Sequence, residues 1–264
     1  MAKIFAVTNQ KGGVGKTTTT VNLAASLAAT KRRILMIDLD PQGNATMGSG
    51  VSKNEVECSA YDLLTKKSPL EAVITRSELG NYDVIPANGD LTAAEVELLN
   101  EIGREHRLKQ VLNKVQDQYD FILIDCPPSL NMLTVNALSA SDGVIIPMQC
   151  EYYALEGLAA LMNTVEQIRE SINPNLAISG ILRTMFDPRN SLTRDVSQEL
   201  EEYFGDLVYK VAIPRNIRLA EAPSHGMSAL HYDKSSKGAI AYLALAGEIV
   251  RKTKAEAKKQ LAEA

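Results

Sequence analysis

Cysteine is scarce in this chain: only Cys58, Cys126 and Cys150 occur among its 264 residues. They are too few and too far apart for a disulfide framework, and none lies in a CxxC or CxxH pairing that would hold zinc. No apolar run reaches the roughly 18 residues of a membrane-spanning helix, and the first ten residues lack the apolar segment of a signal peptide. We therefore expect a cytoplasmic protein without disulfides, a zinc site or a membrane segment.

Linkers rich in proline, glycine or serine are also missing, and the sequence contains no internal repeat. Its 45% hydrophobic and 23% charged residues are typical of a globular protein, and a chain of 264 residues can bury one substantial core. We predict a single domain over residues 1–252. Residues 253–264 have high helix propensity but little apolar surface to bury, so we expect a polar tail that frays into solvent.

The net charge of −4 conceals a difference between the two parts of the chain. Residues 1–182 carry 15 basic and 21 acidic side chains, whereas residues 183–264 carry 13 basic and 11 acidic ones. The C-terminal third is therefore the place where we expect contact with a polyanion, if there is one. Because the shift is small, a solvated basic face is the simpler interpretation of the charge alone.

Short runs of mainly apolar and β-branched residues recur along the chain, separated by longer helical patterns. Near-continuous apolar runs such as FILID are typical of parallel strands that are covered on both faces, since a strand with one wet face would alternate. The predicted strands are Ile4–Thr8, Ile34–Asp38, Tyr82–Pro86, Phe121–Asp125, Gly143–Pro147, Ile178–Thr184 and Leu207–Ile213.

Helical patterns occupy the intervals between these strands. We predict helices over Thr17–Ala29, which is rich in alanine and leucine, and over Ala94–Gln116, which is long and charged. A further helix places its apolar residues on one face, at Leu155, Leu158, Met162, Val165 and Ile168. Strands and helices in this alternation predict an α/β fold with a mostly parallel central sheet and helices on both faces.

A glycine-rich segment joins the first predicted strand to the first helix. Its residues are Lys11, Gly12, Gly13, Val14, Gly15, Lys16, Thr17 and Thr18. Strand, glycine-rich turn and helix in this order are the context of a nucleotide-binding P-loop, in which backbone N–H groups converge on phosphate oxygens at the helix N-terminus. Lys16 would supply a positive charge to the β- and γ-phosphates and Thr17 a hydroxyl to Mg²⁺. The segment therefore predicts a P-loop NTPase.

One position departs from the usual P-loop pattern. Gln10 stands where the first glycine is expected, and Lys11 follows it. A second lysine adds positive charge where the helix N-terminus is already positive, which is unfavourable unless an anion arrives. We therefore expect Lys11 to have a role when phosphate is bound.

Aspartates end two of the predicted strands. Asp38 and Asp40 flank a leucine at the end of one strand, and Asp125 ends another. Ligands of open α/β sheets lie at the carboxyl ends of the strands, and an apolar run that ends in Asp near a P-loop indicates the carboxylate that holds Mg²⁺ directly or through water. Alone, each residue could instead terminate a strand or cap a helix. Beside the P-loop we predict that Asp38 and Asp125 lie near the metal.

The segment KGGVGKTT resembles the deviant Walker A motif of the partitioning and positioning ATPases, the family that includes ParA, MinD and the nitrogenase iron protein. In that family the extra lysine, here Lys11, reaches across a dimer interface to the nucleotide of the other subunit. The resemblance implies a homodimer that sandwiches ATP and Mg²⁺. It also implies that Asp40 orients the water that attacks the γ-phosphate, so that Lys11, Lys16 and Asp40 are the expected catalytic residues.

Further segments are similar to the chromosome-partitioning ParA/Soj branch of this family: IDLDPQGNAT, FILIDCPPSL and IPRNIRLAEAPSHG. The likeness extends from Lys3 to about Val250. In that branch the I-P-R-N segment lines the adenine pocket, which implies that Pro214 and Asn216 contact the base. The branch hydrolyses ATP slowly, binds DNA without sequence preference as an ATP-bound dimer, and is stimulated by a ParB-type centromere-binding partner. The resemblance implies the same for this chain, including association with the nucleoid.

DNA binding fits the basic excess in the C-terminal third, and no aromatic residues alternate with the charges in the way that base stacking would require. The candidate phosphate contacts are Arg189, Arg194, Arg215, Arg218, Lys234, Lys237, Arg251 and Lys252. Acidic neighbours such as Asp187, Asp195 or Asp233 could pair with several of them.

Three other functions remain open. A MinD-like membrane-positioning ATPase would end in an amphipathic helix, but Leu261 is the only large apolar residue of the final segment RKTKAEAKKQLAEA. A protein like the nitrogenase iron protein would need two cluster-binding cysteines, and Cys126 and Cys150 are better interpreted as small buried apolar residues. The third is a ligase or kinase with a related P-loop, such as dethiobiotin synthetase, which would activate a small acid.

Overall fold

The strands of this protein form one sheet in the computed structural model, which describes residues 1–263 and their side chains through residue 259. The strands are β1 (Lys3–Val7), β2 (Ile34–Asp38), β3 (Thr75–Ser77), β4 (Tyr82–Ile85), β5 (Phe121–Asp125), β6 (Gly143–Gln149) and β7 (Ala177–Thr184). Their spatial order is β3-β4-β2-β5-β1-β6-β7. All neighbouring pairs are parallel except β3 with β4, so the mostly parallel α/β sheet is confirmed.

Helices connect these strands and cover both faces of the sheet. They are α1 (Lys16–Ala29), α2 (Asn44–Gly48), α3 (Ala60–Leu64), α4 (Leu70–Val73), α5 (Leu91–Glu97), α6 (Arg107–Leu112), α7 (Met132–Ala140), α8 (Ala154–Ser171), α9 (Ser191–Phe204), α10 (Ile217–Glu221), α11 (Ala229–Tyr232) and α12 (Lys237–Glu263). None of the helices in the described part of the chain is long and apolar enough to cross a lipid bilayer.

Two apolar clusters lie on opposite faces of the sheet. One joins α1 and α12, and it contains Leu27 and Tyr242. The other joins α5, α7 and α8 and contains Leu133 and Leu158. Strands β2 and β5 are buried along their whole length between the two clusters. This burial explains why their sequences are continuously apolar.

Six of the predicted strands are present with bounds within two residues of the prediction, but the strand predicted over Leu207–Ile213 is wrong. The segment contains the end of a 3₁₀ turn and a single bridge between Val208 and Ile181. The carboxylate of Glu248 accepts the backbone N–H groups of Lys210 and Val211, so a side chain replaces a strand partner there. The remaining strand of the sheet is β3, whose sequence TRS is too short and too polar to be recognised.

The single helix predicted over Ala94–Gln116 is also wrong. Helix α5 ends at Glu97 and α6 begins at Arg107, and Gly103 between them adopts a left-handed conformation with φ 68°. The amide of Asn136 in α7 accepts from Leu108 N and donates to the carbonyl of Arg104, the two groups that would bond to each other in a continuous helix. A contact with a distant helix therefore stabilises the interruption.

Other expectations agree with the structure. Leu158, Val165 and Ile168 are buried on one face of α8, as predicted, and Leu161 is buried with them. The three cysteines are free, and Cys126 and Cys150 are buried. Helix α12 continues through the segment predicted as a tail, where residues 254–259 are exposed. Whether this segment frays in solution stays a prediction, and residue 264 lies outside the described residues.

Close packing between β7 and the segment that follows α9 generates a stability prediction. A Cβ atom at Gly180 would lie 2.5 Å from the ring of Tyr209, which is itself buried. Because the ring is rigid and enclosed, Gly180→Ala should lower the free energy of unfolding by about 1–3 kcal/mol, as measured by chemical denaturation. The matched control is Gly157→Ala in α8, where an added Cβ meets no atom within 4 Å. This control should be neutral or stabilising, and equal losses in the two variants would contradict the packing argument.

Candidate nucleotide site

The carboxyl ends of the parallel strands meet at one edge of the sheet, and the predicted site residues lie there. The glycine-rich segment follows β1, Asp38 ends β2, and Asp125 ends β5. Strand β5 lies between the other two, with Val7 and Asp38 both paired in register with Asp125. The sheet topology therefore brings together motifs that are far apart in the sequence.

The backbone of the glycine-rich segment leaves space for an anion. Gly13 and Gly15 have positive φ angles of 74° and 90°, and a Cβ atom at Gly12 or Gly13 would meet nothing within 4 Å. Gly15 is the N-cap of α1, whose first turn contains no acidic residue and no side-chain cap. The N–H groups at the positive end of this helix are thus available to phosphate oxygens.

Two side chains that the sequence reasoning missed hold this segment in place. Asn9 donates from Nδ2 to the carbonyl of Pro147 at 2.8 Å, and its Oδ1 accepts the N–H of Lys11 at 2.9 Å. Thr184 at the end of β7 donates from Oγ1 to the carbonyl of Val14 at 2.7 Å. Asn9 has a local signal, because Asn commonly bonds the backbone two residues on. No sequence pattern indicates Thr184, since its contact depends on β7 lying near β1.

Lys16 is buried at the centre of the site. Its Nζ donates to the carbonyl of Lys11 at 3.2 Å, which folds the loop around the ammonium group. Burial lowers the pKa of Lys16, while the nearby charges of Asp125 and Asp40 act in the opposite direction. An ammonium group in this position carries its charge to the space above the glycines.

The carboxylate of Asp125 binds helix α1 to the central strand. Oδ2 accepts a hydrogen bond from Thr17 Oγ1 at 2.8 Å, and Oδ1 accepts one from Thr20 Oγ1 at 2.9 Å. Asp125 is completely buried. A carboxylate and a hydroxyl are hard oxygen ligands of the kind that Mg²⁺ prefers together with substrate phosphates. Thr17 and Asp125 therefore fit a magnesium site at the mouth of the loop.

Asp38 and Asp40 shape the segment after β2. Asp38 is fully buried, and its two oxygens accept from Asp40 N at 3.0 Å and from the N–H and hydroxyl of Thr46 at 2.8 and 2.7 Å. These bonds tie Asp38 to the position of Asp40, and its approach to a metal stays a prediction. Asp40 accepts the N–H of Gln42 at 2.9 Å, and it lies close enough to Lys16 for their charges to interact.

Two buried carboxyls next to each other cannot both be charged without a cost. Burial raises the pKa of Asp38, and the charge of Asp40 raises it further, against the lowering effect of the Thr46 hydrogen bonds. Burial also raises the pKa of Asp125, and the charge of Asp38 adds to this effect. The site is therefore poised to accept positive charge, from a proton or from a cation.

A cavity of about 170 Å³ opens beside the loop, between Gly15 and Thr18 on one side and Pro214 and Asn216 on the other. Its remaining walls include Thr184, Met185, Leu219 and Tyr242. The Oδ1 atom of Asn216 caps α10 by accepting the N–H of Arg218 at 3.0 Å, so the turn is rigid. The structure thus places Pro214 and Asn216 on the wall of a cavity beside the loop, while their contact with a base stays a prediction.

Lys11 differs from Lys16 in its surroundings. Its side chain is 49% exposed, and Nζ forms an ion pair of 2.6 Å with Glu151, which follows β6 and is equally exposed. An exposed pair of this kind contributes about 0–1 kcal/mol, so it can be exchanged for another anion. The second lysine of the loop is thus held at the rim of the site by a contact that is easily broken.

The candidate DNA contacts differ in whether their side chains already have a partner within the chain. Arg189 pairs with Asp187, and Arg218 pairs with Glu221 and Asp233. Arg194 and Lys252 donate to backbone carbonyls. Four others form no side-chain hydrogen bond or ion pair with the described residues: Arg215, Lys234, Lys237 and Arg251.

The raised pKa values of Asp38 and Asp125 predict how stability depends on pH. Because these values lie above the ordinary aspartate value of 3.8, the folded chain holds protons that the unfolded chain has already released between about pH 5 and pH 8. We expect the free energy of unfolding to fall as pH rises, by up to about 1 kcal/mol per pH unit for each of the two carboxyls. Chemical denaturation of the nucleotide-free protein in EDTA measures it.

The matched variant for this prediction is Asp125→Asn, which keeps the shape of the side chain but cannot titrate. Its stability should depend less steeply on pH than that of the parent, since one of the two raised pKa values is gone. Identical pH slopes in parent and variant would contradict a raised pKa at Asp125.

The comparisons with known proteins agree with this geometry. The AAA domain family matches residues 2–178. The sporulation initiation inhibitor protein Soj of Bacillus subtilis is 54% identical, covering 94% of this chain and 98% of its own. The chromosome partitioning protein ParA of Myxococcus xanthus is 48% identical, covering 96% and 89%.

Among solved structures, cobyrinic acid a,c-diamide synthase of Mycobacterium smegmatis with bound ADP and magnesium is similar over 96% of each chain. Its TM-score is 0.84 and its sequence identity 37%. Several relatives of higher identity than this structure carry the names of chromosome-partitioning proteins. This chain belongs to the ParA/Soj family of chromosome-partitioning P-loop ATPases.

Proposed function

We propose that this protein segregates DNA by binding it non-specifically as an ATP-bound homodimer and releasing it on hydrolysis, which a ParB-type partner stimulates. The observation that carries the proposal is the pair of loop lysines in different surroundings, Lys16 buried in the site and Lys11 exposed at its rim. The proposal places the protein in the cytoplasm, on the nucleoid. ATP and Mg²⁺ are the cofactors, supported by a 37% identical structure that holds ADP and magnesium.

Hydrolysis depends on positioning and on charge compensation by the residues of the loop. The free N–H groups of α1 and the ammonium of Lys16 bind the phosphates and stabilise the charge that develops on the leaving oxygen. Thr17 and Asp125 would hold Mg²⁺, which neutralises the β- and γ-phosphate oxygens. Lys16 is anchored to the backbone of Lys11, so its ammonium group is already in place when substrate arrives.

Asp40 is suited to orient the attacking water. It begins the segment between β2 and α2, which Asp38 holds through one hydrogen bond from Asp40 and two from Thr46. Its side chain is 9% exposed, at the boundary between the core and the site. A carboxylate held in this way accepts a hydrogen bond from water on the γ-phosphate side of the loop. We expect turnover to be slow and to need a partner for stimulation.

Apolar side chains support a dimer that uses the edge of the sheet around Lys11. Leu130 after β5, Tyr152 and Tyr153 after β6, and Leu192 at the start of α9 are all exposed. Loops after parallel strands share one edge of the sheet, so these side chains surround the nucleotide site. Apolar and aromatic groups on one face, around a lysine in a weak ion pair, are typical of an interface. Lys11 would exchange Glu151 for the nucleotide of the second subunit.

Variants of the loop separate nucleotide binding from turnover. Lys16→Ala should abolish ATP binding, because it removes the buried charge that faces the phosphates. Asp40→Ala should leave ATP binding within about threefold of the parent and lower the hydrolysis rate by about a hundredfold or more. Equilibrium dialysis and phosphate release measure the two effects. Normal hydrolysis by Asp40→Ala would refute the water-positioning role.

DNA binding should follow the ATP-dependent dimer. In the Asp40→Ala background with ATP, we expect a dimer by light scattering and binding to arbitrary duplex DNA, whereas adding Lys11→Ala should leave a monomer with weaker DNA binding. Lys234→Ala with Lys237→Ala should lower the slope of log affinity against log salt by about 0.9 for each phosphate contact removed. The control is Lys114→Ala, an exposed lysine outside the C-terminal third.

The outcomes of that experiment distinguish the alternatives. DNA binding that ignores ATP, or no binding at low salt, would overturn the partitioning proposal. Sedimentation with liposomes in the presence of ATP would indicate a MinD-like protein instead. The likeness to a diamide synthase favours testing a ligase as well, and ATP hydrolysis that requires an added small carboxylic acid would support that function.

A further inference from the structure

We propose that a basic cavity at the amino-terminal edge of the sheet binds a phosphate anion that carries at least two negative charges. The cavity lies at the opposite end of the strands from the nucleotide site, and it encloses about 410 Å³. This volume is within the range of about 300–1,000 Å³ that is typical of small-molecule pockets. Four cationic side chains and one acidic side chain line it, together with three neutral polar ones: Lys31, Arg32, Arg33 and Arg76, then Asp83, then Asn81, Gln118 and Tyr119. We call it the amino-edge cavity.

Local structure concentrates positive charge in this cavity. Helix α1 ends at Ala29, and Lys31 adopts a left-handed conformation with φ 61°, which turns the chain back towards β2. Three consecutive basic residues therefore lie in one tight turn directly before the strand begins at Ile34. The edge strand β3 contributes Arg76 from the opposite wall.

Only half of these charges are neutralised. Arg33 pairs with Asp120 at 3.6 Å, and Arg76 pairs with Asp83 at 2.7 Å. The side chains of Lys31 and Arg32 form no hydrogen bond or ion pair with any described residue, and the Nε atom of Arg32 is buried without an acceptor. A buried guanidinium N–H without an acceptor is costly, and two unpaired cations beside two paired ones attract a multiply charged anion.

The neighbouring carboxyl responds to this excess of positive charge. Partial burial alone would raise the pKa of Asp120, but hydrogen bonds from Arg33 and the charges of Arg33 and Arg32 together hold it below its usual range. The charge of Arg32 therefore acts on Asp120 although the two side chains form no ion pair.

The donor set matches phosphate. Guanidinium groups offer planar pairs of N–H donors that suit phosphate oxygens, and Arg32 and Arg33 lie side by side in the turn. Asn81 accepts from Arg76 through Oδ1, so its Nδ2 group remains a donor. The Tyr119 hydroxyl donates to Asp83 at 2.9 Å, which holds that carboxylate on the wall of the cavity. Donors therefore outnumber acceptors on its surface.

The test uses sodium pyrophosphate, titrated by calorimetry in EDTA at constant ionic strength. Every protein carries Lys16→Ala, so that the phosphate loop does not contribute. We expect one site per chain, and a loss of affinity of about tenfold or more on adding Arg32→Gln. Lys31→Gln, an exposed side chain of the same turn, should weaken binding by about threefold. Arg169→Gln, in the exposed pair with Glu166 on α8, is the control and should bind like its parent.

Two sources of phosphate are distinguished by a second arm with duplex DNA and an intact phosphate loop. If the anion is a free phosphate compound, Arg32→Gln should leave DNA affinity and its salt slope unchanged. If it is the DNA backbone, the salt slope should fall by about 0.9 and pyrophosphate should compete with DNA. Both results support a phosphate site in the amino-edge cavity.

The proposal fails if pyrophosphate does not bind, or if Arg32→Gln and Arg169→Gln bind it equally well. Thermal unfolding without anion checks that Arg32→Gln is folded. If that variant is unfolded, the affinity of Lys31→Gln for pyrophosphate decides the proposal, and binding equal to that of Arg169→Gln refutes it. Because this cavity shares no residue with the nucleotide site, its failure would leave the proposed ATPase function unaffected.

Discussion

The hydrogen bonds from Thr17 and Thr20 to the carboxylate of Asp125 hold the nucleotide site together. They join the first helix to the central strand, across 108 and 105 positions of sequence, inside a part of the protein that excludes water. A buried carboxylate is tolerated only when hydrogen bonds or opposite charges compensate it. Here both oxygens are bonded and the charge of Lys16 is close. The position of the P-loop helix, the polarity of its N-terminus and the place for a metal all depend on this arrangement.

The two lysines of the loop differ in burial and in how firmly their charges are held. Lys16 is enclosed and donates to a carbonyl of its own loop, so its position is set before any ligand binds. Lys11 is exposed, and its ion pair with Glu151 is of a kind that stabilises a protein little. One charge is therefore organised for the chain's own nucleotide, while the other can leave its partner at low cost. This difference is the physical basis, within one eight-residue segment, of the dimer-dependent ATPase that we propose.

Charge is also distributed between the two ends of the sheet. The carboxyl-terminal edge combines Lys16 with three aspartates, Asp38, Asp40 and Asp125, and all four side chains are buried. The amino-terminal edge has unpaired Lys31 and Arg32, and its lining also includes the carboxylate of Asp83. We propose phosphate binding at both of these concave surfaces, on a chain whose net charge is −4. They differ in that buried aspartates surround the first, whereas unpaired cations line the second.

Patterns among adjacent residues were sufficient to predict the central strands and the glycine-rich loop. Continuous apolar runs predicted β2 and β5 to the residue, and the glycines with Lys16 and Thr17 predicted the phosphate loop, because burial on both faces and a left-handed turn each leave a mark on adjacent residues. Tertiary structure alone decided the rest. Asn136 interrupts a predicted helix, Glu248 satisfies the backbone of a predicted strand, and Thr184 fixes the loop from β7. The partners in these hydrogen bonds are 28 to 170 residues apart. A short-range sequence pattern cannot predict them, because the fold decides which distant group lies next to a given backbone atom.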